Sequence, residues 1–134
     1  MNKIKIRELE NRSDNRGSSF CVPEDSLNFI DKVHNFHIAT IKPDAIRGNH
    51  YHCHAKEYII IVYDDSWTLA YDQGNGSGVK LKQFNGSGTI AVEIEEKITH
   101  AVKNTGKTDL TIVAFTDKIL DTEKPDVVQN IIIE

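Results

Sequence analysis

Apolar and polar residues alternate along this chain in short runs, broken by Gly, Asn, Asp and Pro. A period of two sends successive side chains to opposite faces of an extended backbone, so each run reads as a β-strand with one buried face. The runs are Lys3–Arg7, Ser18–Val22, Asn35–Ile41, Asn49–His52, Glu57–Tyr63, Ser66–Tyr71, Val79–Phe84, Thr89–Ile94, Thr99–Lys103, Leu110–Thr116 and Val127–Ile133. Asp25–Val33 (DSLNFIDKV) reads either as one helical turn or as a loop. No segment sustains a helical period over the length of an ordinary helix. Many short strands at this spacing predict an all-β sandwich or barrel.

The breaks carry turn chemistry. Asp72–Gly78 (DQGNGSG), Asn85–Gly88 (NGSG) and Asn104–Gly106 (NTG) are hairpin loops. Neither glycine-rich loop has the Gly-Lys-Ser/Thr that opens a helix under a phosphate, so neither is a phosphate cradle. The last residues, Val127–Glu134 (VVQNIIIE), follow Pro125 and are strongly apolar. An apolar strand with a free edge pairs with what lies beside it. It either closes onto its own barrel or crosses to a partner chain, and the second option predicts a homodimer.

Length and composition narrow the picture. At 134 residues and 15.1 kDa, with no repeat or linker, the chain reads as a single domain, 1–134. Its net charge of -4 and pI near 5.8 argue against a nucleic-acid binder, which carries a basic face. No stretch reaches the roughly 20 apolar residues that span a bilayer, and no signal-like run opens the sequence. The expected setting is the cytoplasm, with Cys21 and Cys53 reduced. The expected partner is a small molecule, not a nucleic acid or a membrane.

The chemistry concentrates in Arg47–Glu57, RGNHYHCHAKE. His50 and His52 are two apart on one strand, so both imidazoles share a face. Glu57 has the wrong parity for that face, so Cys53–Lys56 must contain a turn or bulge before the next strand restarts. Ile59 and Ile61 then share the inward face with Glu57. His100 opens a later strand, with Val102 on its face. Three imidazole nitrogens and one carboxylate oxygen suit a divalent transition metal such as Zn, Fe, Mn or Ni, and ligand type does not choose among them.

The pattern His50-x-His52-x4-Glu57, followed by His100-x3-Asn104, resembles the two sequence motifs of the cupin superfamily. The resemblance spans about Ile38–Thr116. It implies a double-stranded β-helix, the cupin or jelly-roll barrel, with His50, His52, Glu57 and His100 as metal ligands. Asp64 stands where that family usually has Gly, and Glu95 and Lys97 stand in place of a Pro-x-Gly before the second motif. RGNHYH is also similar to the cupins of nucleotide-sugar metabolism, including sugar 3,4-ketoisomerases, deoxysugar epimerases and the cupin domain of capsule-biosynthesis enzymes.

Other residues near these motifs carry polar or reactive side chains. His54 continues the period-two histidines and reads as a rim residue, while Tyr63 shares the parity of Glu57. These two are the candidate bases. Cys53 points away from His50 and His52 by parity and reads as packing, as does Cys21. His34 and His37 read as structural or surface residues. Arg47 has the opposite parity to His50, which favours a surface role over an anion contact. Glu93, Glu95 and Glu96 read as a solvated turn. The resulting expectation is an isomerase or epimerase acting on a sugar or small oxygenated metabolite through a divalent metal. An Fe-dependent dioxygenase and a non-catalytic ligand-binding protein remain open beside it.

Overall fold

The structure, a computed structural model, describes residues 2–134. It contains twelve strands: β1 (Ile4–Glu8), β2 (Glu10–Asn11), β3 (Phe20–Cys21), β4 (Asn35–Ile41), β5 (Ile46–His52), β6 (Glu57–Tyr63), β7 (Trp67–Asp72), β8 (Lys80–Phe84), β9 (Gly88–Ile94), β10 (Thr99–Asn104), β11 (Leu110–Thr116) and β12 (Val127–Gln129). The ambiguous stretch after Val22 begins with a short 3-10 turn, Glu24–Asn28. The sequence DSLNFIDKV lacks the sustained apolar spacing that would extend it into a helix.

The long strands form two five-stranded antiparallel sheets, ordered β1-β9-β6-β11-β4 and β12-β5-β10-β7-β8. From β4 to β11 the chain crosses repeatedly between them, so that β4-β11-β6-β9 faces β5-β10-β7-β8 as two nested Greek keys. No ladder joins the two sheets among the described residues. In its hydrogen bonding, the expected barrel is therefore a pair of facing sheets.

Alternation decides which side chains meet between the sheets. In β11, Leu110, Ile112, Ala114 and Thr116 are buried while their neighbours are half-buried. Ile59, Ile61, Ile90, Val92 and Ile94 join them from the first sheet, and Trp67, Leu69 and Val102 face them from the second. Trp67 is fully buried and stacks on Phe84 at 4.4 Å. A second, smaller core forms on the outer face of the first sheet, where Leu9 and Ile30 cover Tyr58 and Ala91. The main core fills one end of the space between the sheets. Polar residues occupy the other end, where β5, β6 and β10 meet.

The C-terminal tail pairs within the molecule. β12 lies against β5, with Val127 opposite His52 and Gln129 opposite His50. Of the two readings of this tail, the structure shows the closure onto its own sheet: Val127–Gln129 occupies the outer edge of β5. Glu93 is also not part of a solvated turn. It lies in β9, is 7% exposed, and faces the Arg7 guanidinium at 3.5 Å.

Candidate functional site

A bulge in β5 brings the histidines together. Ala101 of β10 faces Gly48 and His100 faces His50, so Asn49 is an extra residue without a partner on β10. Gly48 and Asn49 accommodate it with φ of 101° and 55°. A Cβ on Gly48 would lie 2.6 Å from the His100 carbonyl oxygen. The close approach of the two backbones at this point therefore requires glycine. Beyond His52 the chain turns through residues 53–56 and restarts as β6 with Glu57 inward, as the parity argument demanded. Two acidic side chains hold that turn. Asp126 accepts hydrogen bonds from the backbone N–H groups of His54 (2.9 Å) and Ala55 (3.0 Å), and Asp117 from that of Lys56 (2.8 Å).

The four expected ligands converge between the sheets. One ligand atom from each of His50, His52 and Glu57 lies within 4.8 Å of the other two. His100 joins through its Nε2, 2.9 Å from Glu57 Oε1, and its Nδ1 is 3.0 Å from the Ile98 carbonyl. A carbonyl only accepts, so Nδ1 carries a proton there. In a neutral ring, Nε2 then presents a lone pair to a carboxylate oxygen, an arrangement that calls for a proton or a cation in between. His52 Nε2 lies 3.4 Å from Glu57 Oε2, and this buried nitrogen makes no hydrogen bond. An orphaned nitrogen aimed at a buried carboxylate, with three imidazoles around it, fits a first-row divalent ion.

The electrostatics agree with that geometry. Burial, with the neighbouring His100 next in weight, lowers His50 to about 4, so its ring is neutral at physiological pH. Burial also pushes His52 down, but the negative charges of Glu57 and Asp126, each 3.4 Å from a ring nitrogen, outweigh it and raise its pKa. For Glu57 burial favours the neutral acid. His100 and His52 overcome it and hold the carboxyl well below the usual carboxylate range.

Above these side chains opens a cavity of about 640 Å³. Its wall includes His37 from β4 and Arg47 from β5, and Lys118, Ile119, Leu120 and Asp121 stand at its mouth. A pocket of this size accommodates a small organic ligand.

Residues 12–128 match a known family, described as the polysaccharide biosynthesis C-terminal domain. The chain belongs to that family. No curated protein matches the sequence. Among solved structures, a 3,4-ketoisomerase from Helicobacter canadensis superposes with a TM-score of 0.70 at 20% identity, covering 95% of this chain and 90% of that one. The 3,4-ketoisomerase QdtA from Thermoanaerobacterium thermosaccharolyticum, solved with TDP-4-keto-6-deoxyglucose, gives 0.69 at 13% identity over 95% and 87%. The capsular polysaccharide assembling protein CapF from Staphylococcus aureus gives 0.64 at 22% identity; 92% of this chain matches 34% of CapF. At these identities the likeness establishes a shared fold.

This polysaccharide-biosynthesis domain leaves several expected site residues outside its cavity. His54 is exposed on the turn after β5 and does not line the cavity. Tyr63 sits at the far end of β6 from Glu57, roughly 20 Å along the strand. There it packs edge-on against Trp67 and Phe84, beside a different groove. Parity was right for Tyr63, but parity fixes only the face and not the position along it. Cys53 is half-buried and outside the wall.

Two residues read as peripheral do line the cavity. His37 points inward from β4. Arg47 also reaches the wall, although its guanidinium Nε donates to the Thr40 carbonyl at 2.9 Å. The bulge at Asn49 inverts the parity count between Arg47 and His50, which is why a straight-strand reading put them on opposite faces. Asp126 was missed altogether. It belongs to no motif, and only the return of β12 brings it to His52.

Proposed function

We propose that this domain is a jelly-roll cupin that holds one divalent transition metal on His50, His52, Glu57 and His100, and that it isomerises or epimerises a keto-sugar nucleotide. The observation that carries this reading is the convergence of three imidazoles on the buried Glu57 at the floor of the cavity, with His52 Nε2 unpartnered. The fold shared with 3,4-ketoisomerases, one of them solved with TDP-4-keto-6-deoxyglucose, supports the substrate class.

Bound at this centre, the ion supplies a Lewis acid for a carbonyl oxygen. The protein's own residues do the rest. Ile59, Val102 and Ile112 make the inner wall apolar and limit water there. His37, on the opposite wall and outside the ligand set, is placed to take a proton from the carbon beside the carbonyl. Its return to the former carbonyl carbon, with the hydroxyl hydrogen passing from one oxygen to the other, gives a ketoisomerase, and its return to the other face of the same carbon gives an epimerase. Arg47 and Lys118 at the mouth offer cationic partners for a diphosphate.

The test is incubation of metal-loaded protein with keto-sugar nucleotides in D2O, read by NMR. Deuterium incorporation at the carbon beside the carbonyl is expected. Tight binding without exchange would overturn the catalytic part in favour of a binding protein. Substrate-dependent O2 uptake by the iron-loaded form would instead identify a dioxygenase.

A second copy of the chain belongs to the same reading. β4 is the outer edge of the first sheet, and its sequence NFHIATI contains no charged residue or proline to guard that edge. Phe36 and Ile38 are 62% and 66% exposed, beside Val62 at 48%. An unguarded apolar edge pairs readily, and two identical antiparallel edges meet about a two-fold axis.

A further inference from the structure

We infer that Asp126, on the return of the C-terminal strand, is a positioning residue that fixes the tautomer of His52; the inference rests on the metal-centre reading above. The Asp126 carboxylate Oδ2 lies 3.4 Å from His52 Nδ1, on the side of the ring away from Glu57. A carboxylate accepts only, so Asp126, in competition with Glu57 Oε2 at the same distance from Nε2, favours the tautomer with hydrogen on Nδ1. That leaves the Nε2 lone pair directed at the centre, where Nε2 is buried and unpartnered. His100 is arranged the same way, with the Ile98 carbonyl at its Nδ1 and Nε2 turned to Glu57. Two imidazoles from different strands thus have an acceptor beside their outer nitrogen, at 3.0 Å for His100 and 3.4 Å for His52, and their inner nitrogen facing one point. Acceptors behind the ring are how metal-binding histidines are oriented.

The carboxylate is itself held rigidly. Its two oxygens receive the His54 and Ala55 N–H groups, and its own backbone carbonyl receives that of Cys53 at 3.0 Å. The tail that carries it is pinned in turn. Asn49, the bulge residue, accepts at Oδ1 from Ile132 and Ile133 and donates from Nδ2 to the Ile133 carbonyl. Asn130 donates to Thr99 Oγ1, next to His100. The bulge that aligns His50 with His100 and the strand that places Asp126 behind His52 are therefore one connected assembly.

The experiment uses the full chain and compares Asp126→Ala with Asp117→Ala. Asp117 holds the same turn through Lys56 but does not touch His52, so it reports a merely structural effect. Ring 15N NMR of the metal-free protein at alkaline pH reads the tautomer of His52. Zinc affinity is read by competition with a chelator. Wild type should carry a larger share of the Nδ1-protonated form of His52 than the alanine variant does. Asp126→Ala should move that proton toward Nε2 and weaken zinc binding by about 10- to 100-fold. Asp117→Ala should lower Tm but leave the tautomer in place. Asp126→Asn keeps one acceptor oxygen and should shift both readouts in the same direction by less, which serves if the alanine variant does not fold. Equal zinc losses in the Asp126 and Asp117 variants, with an unchanged His52 tautomer, would overturn the assignment. A tautomer that responds to Asp126 in a protein that binds no first-row ion would uphold the positioning role and overturn the metal centre.

Discussion

At Gly48 a single missing methyl decides whether the site exists. The residue combines a φ of 101° with a Cβ position 2.6 Å from a backbone oxygen, and neither problem can be relieved by moving a flexible side chain. Gly48→Ala should therefore cost about 3 kcal/mol or more of stability, measured by denaturant unfolding. Trp67 is the sole tryptophan and is fully buried, so its fluorescence will follow the transition. The four side chains proposed to hold the metal act on a different observable. His50→Ala and His100→Ala should each abolish stoichiometric metal in the purified protein, read by elemental mass spectrometry. Retention of metal in both variants would remove the central claim. Sequence motifs alone picked out these four converging side chains, because alternation along β5, β6 and β10 is a local property. They could not pick out Asp126, whose role depends on a strand distant in sequence.

At the scale of elements, the useful irregularities are the bulge in β5 and the loops that end the strands. The bulge explains why simple parity failed for Arg47 and held for His50 and His52, which lie beyond it. The loop after β10 is fastened by Asp65, whose carboxylate accepts from the N–H groups of Ser66 and Lys107, each at 2.8 Å. The Lys107 N–H contributes most to holding Asp65 below the usual carboxylate range, and Ser66 comes next. A depressed folded-state value means the group stabilises the fold above the ordinary carboxylate pKa of about 4. That stabilisation is lost as pH falls through the depressed value. Asp65→Asn should therefore lower Tm at neutral pH and make the difference from wild type shrink below about pH 4. A constant difference across that range would refute the linkage.

At the scale of the whole molecule, two sheets enclose an apolar core at one end and a polar cavity at the other. β4 then serves both surfaces, with His37 facing the cavity and Phe36 and Ile38 facing outward. If its edge joins two copies, sedimentation of the wild-type chain should give a dimer. Ile38→Lys should give a monomer with little loss of Tm, since Ile38 is largely exposed. A wild-type monomer at micromolar concentration would rule the contact out. Among the described residues, no helix is long and apolar enough to cross a membrane.

The sequence by itself determined the all-β class, three strand spans to the residue (Asn35–Ile41, Glu57–Tyr63 and Leu110–Thr116) and the set of four side chains that converge. These follow from period-two alternation and turn residues, which act over a few positions. Only the tertiary structure decided that the C-terminal strand returns to β5, that Asp126 lies behind His52, and that His37 lines the cavity in place of His54 or Tyr63. Those outcomes depend on which strand edges meet, and one extra residue in a strand reverses every face before it. Local pattern cannot count such a residue until the partner strand fixes the register.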